Sequence, residues 1–347
     1  MRRSGKITIR DIAKRAGVSR STVSLVINGD PRISDGTKSK VMKIIDEAGF
    51  EPNTMARRLA RQRSETILVV LPPTDKVLTD FYFAEAISGI AAALSEAGFR
   101  LLIEIANDKF LQRRDHMKLY REGAVDGMLI VGATTEDKYV QELLDTKTPL
   151  VLVNSRLEGA ASVVADNRTG TKEMVEYLAS QGHERIAFIG GLEITTSGED
   201  RSIGFREGLE AAGLPFNEDY RLWGNFSEES GEECARKLLA RDPKPTALMA
   251  ANDMMALGAM RVARDEFKLR IPEDLSIVGA DGVMLTRYVE PRLTTITQPI
   301  FEIGRMATQC LLDALSQGGV PTESLSLPTS IQLGESASYP QGKIRAQ

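Results

Sequence analysis

The sequence predicts an α/β protein in two parts: a small N-terminal domain of three helices, then a two-lobed core of parallel, doubly wound sheets. Three observations carry that expectation. Charge is divided along the chain. Residues 1–65 hold 15 Lys and Arg against 7 Asp and Glu, and the remainder holds 29 against 41, so a net charge of −4 conceals a basic head on an acidic body. The head shows helical periodicity interrupted by Gly and Pro. The body alternates short apolar runs with helical stretches, and does so twice over.

At 347 residues, with 42% hydrophobic and 27% charged content, the chain can bury a sizeable core and is neither fibrous nor bulk-disordered. Two cysteines, Cys234 and Cys310, exclude a disulfide framework and a four-thiolate zinc site. Two histidines, His116 and His183, argue against a histidine-built metal centre, so no metal and no cofactor are expected. The opening MRRSGK is followed by charged residues where an export signal needs an apolar stretch. No run approaches the ~18 apolar residues of a membrane span. These readings place the protein in the cytoplasm with no membrane partner.

In the head, Thr8-Ile-Arg-Asp11 is a capping-box-like helix start with Asp in the place of Glu or Gln. Ile9, Ile12, Ala13 and Ala16 then form one apolar stripe, and Gly17 supplies the left-handed exit. Ser19 is a good N-cap for a second helix from Arg20 to about Asn28, with Val23, Val26 and Ile27 inward. Gly29 and Pro31 break the chain. A third helix starts near Ser34-Asp35, buries Val41, Ile44 and Ile45, and stops at Gly49. Two short helices joined by a Gly-containing turn and packed on a third make a helix-turn-helix module.

The string ITIRDIAKRAGVSRSTVSLVING resembles the head of the LacI/GalR family of bacterial transcription regulators. That resemblance extends over nearly the whole chain and implies a sequence-specific DNA-binding regulator, with repression as the family default. The second helix of such a module enters the major groove N-terminus first. The resemblance assigns base reading to Arg20, Ser21 and Leu25. It implies further duplex contacts from Thr8, Ser19, Thr22, Ser24, Asn28 and Ser34. Arg20 suits a bidentate pair with guanine, or else a phosphate contact alone. Leu25 stands where many members carry Arg. It can touch only apolar groups such as a thymine methyl, so the half-site letters differ from those of better-known relatives.

The linker EPNTMARRLARQRSE carries four arginines and an apolar face of Met55, Ala56, Leu59 and Ala60. So short a helix is marginal alone in water. The resemblance places a hinge helix here, ordered on DNA in the minor groove. Asn53, Ala56 and Leu59 are the matching residues, Leu59 wedges between central base pairs, and Arg57, Arg58 and Arg61 meet phosphates.

The body reads as strand 66–71, helix 84–97, strand 101–105, helix 113–123, strand 127–131, helix 140–145 and strand 150–153. A second set follows: helix 169–181, strand 186–189, helices 201–212 and 229–241, strand 247–250, helix 254–266 and strand 276–279. Such alternation means βαβ units, here as a two-lobed, periplasmic-binding-protein-like core with a ligand cleft at the strand carboxyl ends. Helix 300–316 and a last strand 324–333 are expected to cross back between lobes. The expected boundaries are a helix-turn-helix domain over 1–52, a hinge over 53–64, an effector and dimerisation core over 65–340, and a tail over 341–347. Lobe 1 takes about 65–166 plus 297–325, and lobe 2 takes 167–296 plus 326–340.

Asn154, Asn252-Asp253 and Asp281 each end an apolar run at that cleft edge. The resemblance adds Arg201, read here as opening its helix, together with Gln298, Phe226, Tyr82 and Phe83. A second reading makes Asn252-Asp253 a helix cap and the three aromatics core. Arginine, asparagine and aspartate around an aromatic face suit a sugar-like polyol. No GxSxG, HExxH, phosphate-loop or dinucleotide fingerprint appears, which argues against an enzyme. The expected partners are a palindromic double-stranded DNA operator, a small-molecule effector and a second copy of the chain. The body alone would suit a solute-binding receptor, or the regulator could activate rather than repress.

Overall fold

The computed structural model describes residues 7–27, 30–50, 63–74 and 77–338. The chain divides after Ser64 into two compact units.

Among its described residues the first unit holds three helices: α1 (Ile9–Ala16), α2 (Arg20–Ile27) and α3 (Asp35–Ala48). Their apolar stripes meet in a small core of Ile12, Ala13, Ala16, Val23, Val26, Val41 and Ile45. Asp11 Oδ2 accepts from both the backbone N–H (2.9 Å) and the hydroxyl (2.7 Å) of Thr8, which fixes the start of α1. Gly17, at φ 65°, ends it and lets Val18 N–H reach back to the Ala13 carbonyl (3.1 Å). Ser19 Oγ accepts from Thr22 N–H (3.0 Å) and caps α2.

The second unit holds two six-stranded sheets. The first contains β1 (Thr66–Leu71), β2 (Arg100–Ile105), β3 (Gly127–Val131), β4 (Leu150–Val153), β5 (Ala161–Ala165) and β11 (Ser324–Leu327), in the order β11-β5-β4-β3-β1-β2. The second contains β6 (Ile186–Gly190), β7 (Arg221–Trp223), β8 (Ala247–Ala250), β9 (Ser276–Asp281), β10 (Thr294–Thr297) and β12 (Ser330–Gln332), in the order β12-β10-β9-β8-β6-β7. Every pairing is parallel except β10 with β12. Helices α4 (Phe81–Glu96), α5 (Asp108–Gln112), α6 (Asp115–Arg121), α7 (Lys138–Asp145) and α12 (Ile300–Ser316) belong to the first lobe. Helices α8 (Asn167–Ser180), α9 (Thr196–Ala211), α10 (Glu228–Leu239) and α11 (Asp253–Asp265) belong to the second. The central strands are buried on both faces and accordingly read as continuous apolar runs.

Several elements differ from the sequence reading. β5, β7 and β10 are short strands that periodicity did not separate from loops. In place of one helix over 113–123 there are two, α5 ahead of that range and α6 within it, with Arg114 at φ 54° between them. The strand expected over 324–333 is also two, one in each sheet, with Pro328 between them. α12 does not cross between lobes. It buries Ile303, Ala307, Leu311 and Leu312 in the first-lobe core, and the crossings run through 166, 298–299 and 328–329. α9 starts at Thr196, capped by Thr195 Oγ1 on Gly198 N–H (3.1 Å), so Arg201 lies in the second helical turn and does not open the helix.

Candidate functional site

Two groups of candidate residues are described by the structure, one in each unit. In the head, Thr8, Ser19, Arg20, Ser21 and Ser34 are exposed, and Thr22, Ser24 and Leu25 are half-buried. Val23 and Val26, on the opposite side of α2, are buried in the core. The packing therefore turns the Arg20-Ser21 end of α2 and its Ser24-Leu25 stretch outward. Arg20 forms no ion pair among the described residues, which leaves its guanidinium available to an external anion. Ser34 is the N-cap residue of α3, and its hydroxyl meets Thr37 Oγ1 (3.0 Å). Asn28, Asn53, Ala56, Arg57 and Leu59 lie outside the described residues.

In the second unit, strand-end residues of both lobes meet in one buried hydrogen-bonded chain. Asn154, just after β4, donates through Nδ2 to Tyr82 Oη (2.6 Å) and to Gln298 Oε1 (2.9 Å). Its own Oδ1 accepts from Ala165 N–H (3.0 Å). Gln298 sits in the strap between β10 and α12, and its Nε2 donates to Asp281 Oδ1 (2.6 Å). Arg201 donates from Nη2 to the same oxygen (2.8 Å), from Nε (2.9 Å) and Nη2 (2.8 Å) to Asn167 Oδ1, and from Nη1 to the Ala251 carbonyl. Only 2% of Arg201, 4% of Gln298 and 7% each of Asn154 and Asp281 is exposed, so the lobes are shut over these groups.

The electrostatics follow from that burial. Asp281 and Asp253 are neighbouring carboxyls, and burial raises both above the ordinary range, Asp253 strongly. Arg201 offsets part of this rise at Asp281, and nearby Asp281 adds to it at Asp253. Burial likewise raises the Tyr82 phenol.

Asp253 is structural. Its Oδ2 accepts from Gly282 N–H (2.8 Å) and Val283 N–H (2.9 Å), and its Oδ1 from the Thr295 hydroxyl (2.5 Å), which pins the loop after β9. Asn252, expected to reach a ligand, caps α11 by accepting from Met255 N–H (3.0 Å) and donates to the Phe226 carbonyl (2.9 Å). Its side chain thereby holds Phe226, which packs over Gly191. Phe83 packs on the first-lobe core and meets Tyr82 edge-on at 5.2 Å between ring centroids, outside the polar chain.

Three of these residues hold left-handed backbone: Asn154 at φ 52°, Phe226 at φ 70° and Asp281 at φ 119°. For a residue with a side chain, that conformation costs of order 1–3 kcal/mol and persists only where surrounding bonds over-determine it. Here the hydrogen bonds above supply that constraint.

Sequence reasoning missed Asn167, which orients Arg201, and the pair Arg156 and Asp200. Asn167 follows an apolar strand and directly precedes Arg168, so the polar-after-strand signal was present there too. Arg156 and Asp200 had no such signal.

A basic helix-turn-helix unit in one chain with a two-lobed core that closes over polar strand ends defines a class: DNA-binding regulators carrying a sensing body. The model for bacterial regulatory proteins of the lacI family matches residues 8–53, and the periplasmic binding protein-like domain matches residues 175–337. Catabolite control protein A of Priestia megaterium is 32% identical over 336 residues, which cover 95% of this chain and 99% of the relative. The CelR–cellobiose complex is similar at a TM-score of 0.74 and 32% identity, over 95% of this chain and 99% of that one. The lac repressor dimer bound to operator and the anti-inducer ONPF is similar at a TM-score of 0.82 and 27% identity, over 96% and 100%. The chain belongs to the LacI family and is a DNA-binding transcriptional regulator.

Proposed function

We propose that the protein represses transcription as a homodimer on a two-fold symmetric operator, under the control of a sugar-like effector held between the lobes of each core. The observation that carries the effector reading is the buried chain Tyr82–Asn154–Gln298–Asp281–Arg201, which runs from the first lobe through the strap into the second. A ligand bound there exchanges interlobe hydrogen bonds for its own and so changes how the lobes meet. Arg201 spends most of its N–H groups on the protein, and its charge faces Asp281, which favours an uncharged polyol over an acid. Phe226 and Tyr82 supply flat apolar surface for a ring. The likeness to a CelR–cellobiose complex supports the same class of ligand.

On DNA, residues 1–52 act as the reading head, with Arg20, Ser21 and Leu25 on base edges and Thr8, Ser19, Thr22, Ser24, Asn28 and Ser34 on the backbone. Residues 53–64 act as a hinge helix, with Asn53, Ala56 and Leu59 in the minor groove and Arg57 on phosphate. Residues 65–340 act as the effector and dimerisation core. Dimerisation follows from physics, since one small module has limited affinity and two half-sites multiply it. The likeness to an operator-bound lac repressor dimer supports that assembly.

The test is selection of bound DNA from a random pool, followed by titration of a panel of neutral mono- and disaccharides against affinity for the selected site. A palindrome whose occupancy shifts with one sugar supports the reading. Indifference to base order overturns the DNA half, and no response to any sugar overturns the effector half.

A further inference from the structure

Among the described residues, a second set of bonds besides the deep polar chain joins the lobes. It lies at the rim, between the loops after β3 and β4 and the start of α9. Thr135 N–H donates to the Ile194 carbonyl (3.0 Å), and Thr134 faces Thr195 in an isolated antiparallel bridge. Arg156 N–H donates to Thr196 Oγ1 (2.8 Å). The Arg156 guanidinium then reaches across to both carboxylate oxygens of Asp200, at 2.5 and 2.6 Å from Nη2. Asp200 immediately precedes Arg201 in α9, and its side chain is only 9% exposed, against 48% for Arg156.

The two sets differ in what a ligand does to them. A molecule seated among Asn154, Gln298, Asp281 and Arg201 takes over the deep bonds. Arg156 and Asp200 make none of the bonds in that chain. With the deep groups at most 7% exposed, a ligand reaches them only when the lobes part, and the rim bonds hold the lobes together.

We propose that Arg156 and Asp200 form a rim latch that holds the lobes closed without any ligand and gates access to the interlobe site. Asp200 is a positioning residue here, since it ties the helix carrying Arg201 to the opposite lobe. A charge-assisted pair with one partner buried is worth more than an exposed pair, because water competes less for the carboxylate. Breaking it leaves Asp200 buried without its cation. The latch rests on the effector reading only for its consequence as a gate.

Amide hydrogen exchange by mass spectrometry, on the full chain without ligand or DNA, therefore tests it independently of that reading. Arg156→Ala is expected to speed exchange about fivefold in peptides covering 133–137 and 154–158, where the Thr135 and Arg156 amides report rim contact. Peptides over β3 and β6 are expected to stay unchanged. Asp200→Asn keeps the side-chain shape and serves where Arg156→Ala disturbs folding. It is expected to act in the same direction. The double variant should exchange no faster than Arg156→Ala alone, since the two residues work through one contact. Unchanged exchange at the rim in both single variants, or additive effects in the double variant, overturns the latch.

Discussion

Arg20 and Arg201 are arginines near the starts of α2 and α9, yet they stand in opposite conditions. Arg20 is exposed and without an ion pair among the described residues, whereas Arg201 is 2% exposed and binds Asn167, Ala251 and Asp281. The head presents unspent donors on a small rigid core, so a polyanion meets them without internal bonds being broken. The interlobe site has already spent its donors on itself. Any ligand seated there must replace those bonds with its own, and a poor match leaves buried groups unsatisfied. One region gains affinity from charge that is cheap to expose, the other gains selectivity from polarity that is costly to leave unpaired.

Four variants sharpen or break that contrast. The largest effect is expected for Arg201→Ala, which strands the Asp281 carboxylate beside Asp253. Core stability should fall by about 3–5 kcal/mol in denaturant unfolding, and a loss below ~1 kcal/mol would show that the network is not sharing charge as described. Next, Asn154→Asp replaces two donated hydrogen bonds with a carboxylate facing Tyr82 and Gln298. Measured the same way, it should cost about 1–3 kcal/mol.

Arg20→Ala should leave unfolding within ~0.5 kcal/mol of the parent protein. It should nevertheless weaken operator binding by about 1–3 kcal/mol, with relaxed preference at one base pair per half-site in single-base operator variants. Equal weakening on every variant would make Arg20 a phosphate contact.

The smallest effect concerns Asp30. The Arg32 guanidinium and backbone N–H hold its carboxyl at about 2, below its ordinary 3.8. A lowered carboxyl contributes stability above 3.8 that is lost as pH falls towards 2. Thermal melts of the parent and Asp30→Asn should therefore differ near neutral pH and converge only as pH falls below about 2. A gap that persisted in acid would mean that Asp30 acts through something other than its charge.

Most of the head was legible in the sequence because its helices are amphipathic and punctuated. Ile12, Ala13 and Ala16 share a face by spacing alone, and Gly17 and Gly49 end helices by backbone geometry. The alternating order of the core was legible for the same kind of reason. What escaped was short or remote. Thr294–Thr297 is a four-residue strand of mostly hydroxyl side chains, with no alternation to find. The two strands read as one over 324–333 separate at Pro328, whose missing N–H suits a break between two ladders.

At the site, Asn154 and Asp281 were findable as polar residues that end apolar strands, and Arg201 through family likeness. Asn252 was findable too, and of its two readings the structure shows the helix cap, since an Asn before a helix satisfies orphan N–H groups. Arg156 and Asp200 meet across 44 residues of chain, and nothing local in either neighbourhood marks them.

The left-handed backbone at Asn154, Phe226 and Asp281 has a consequence for anyone wishing to re-engineer the interlobe site for a chosen ligand. Random mutagenesis at those three codons will be dominated by β-branched and bulky replacements that the main chain rejects before any question of recognition arises. Libraries restricted there to Asn, Asp and Gly, with full diversity moved to neighbours on ordinary backbone such as Tyr82 and Gln298, should return a far larger share of folded clones.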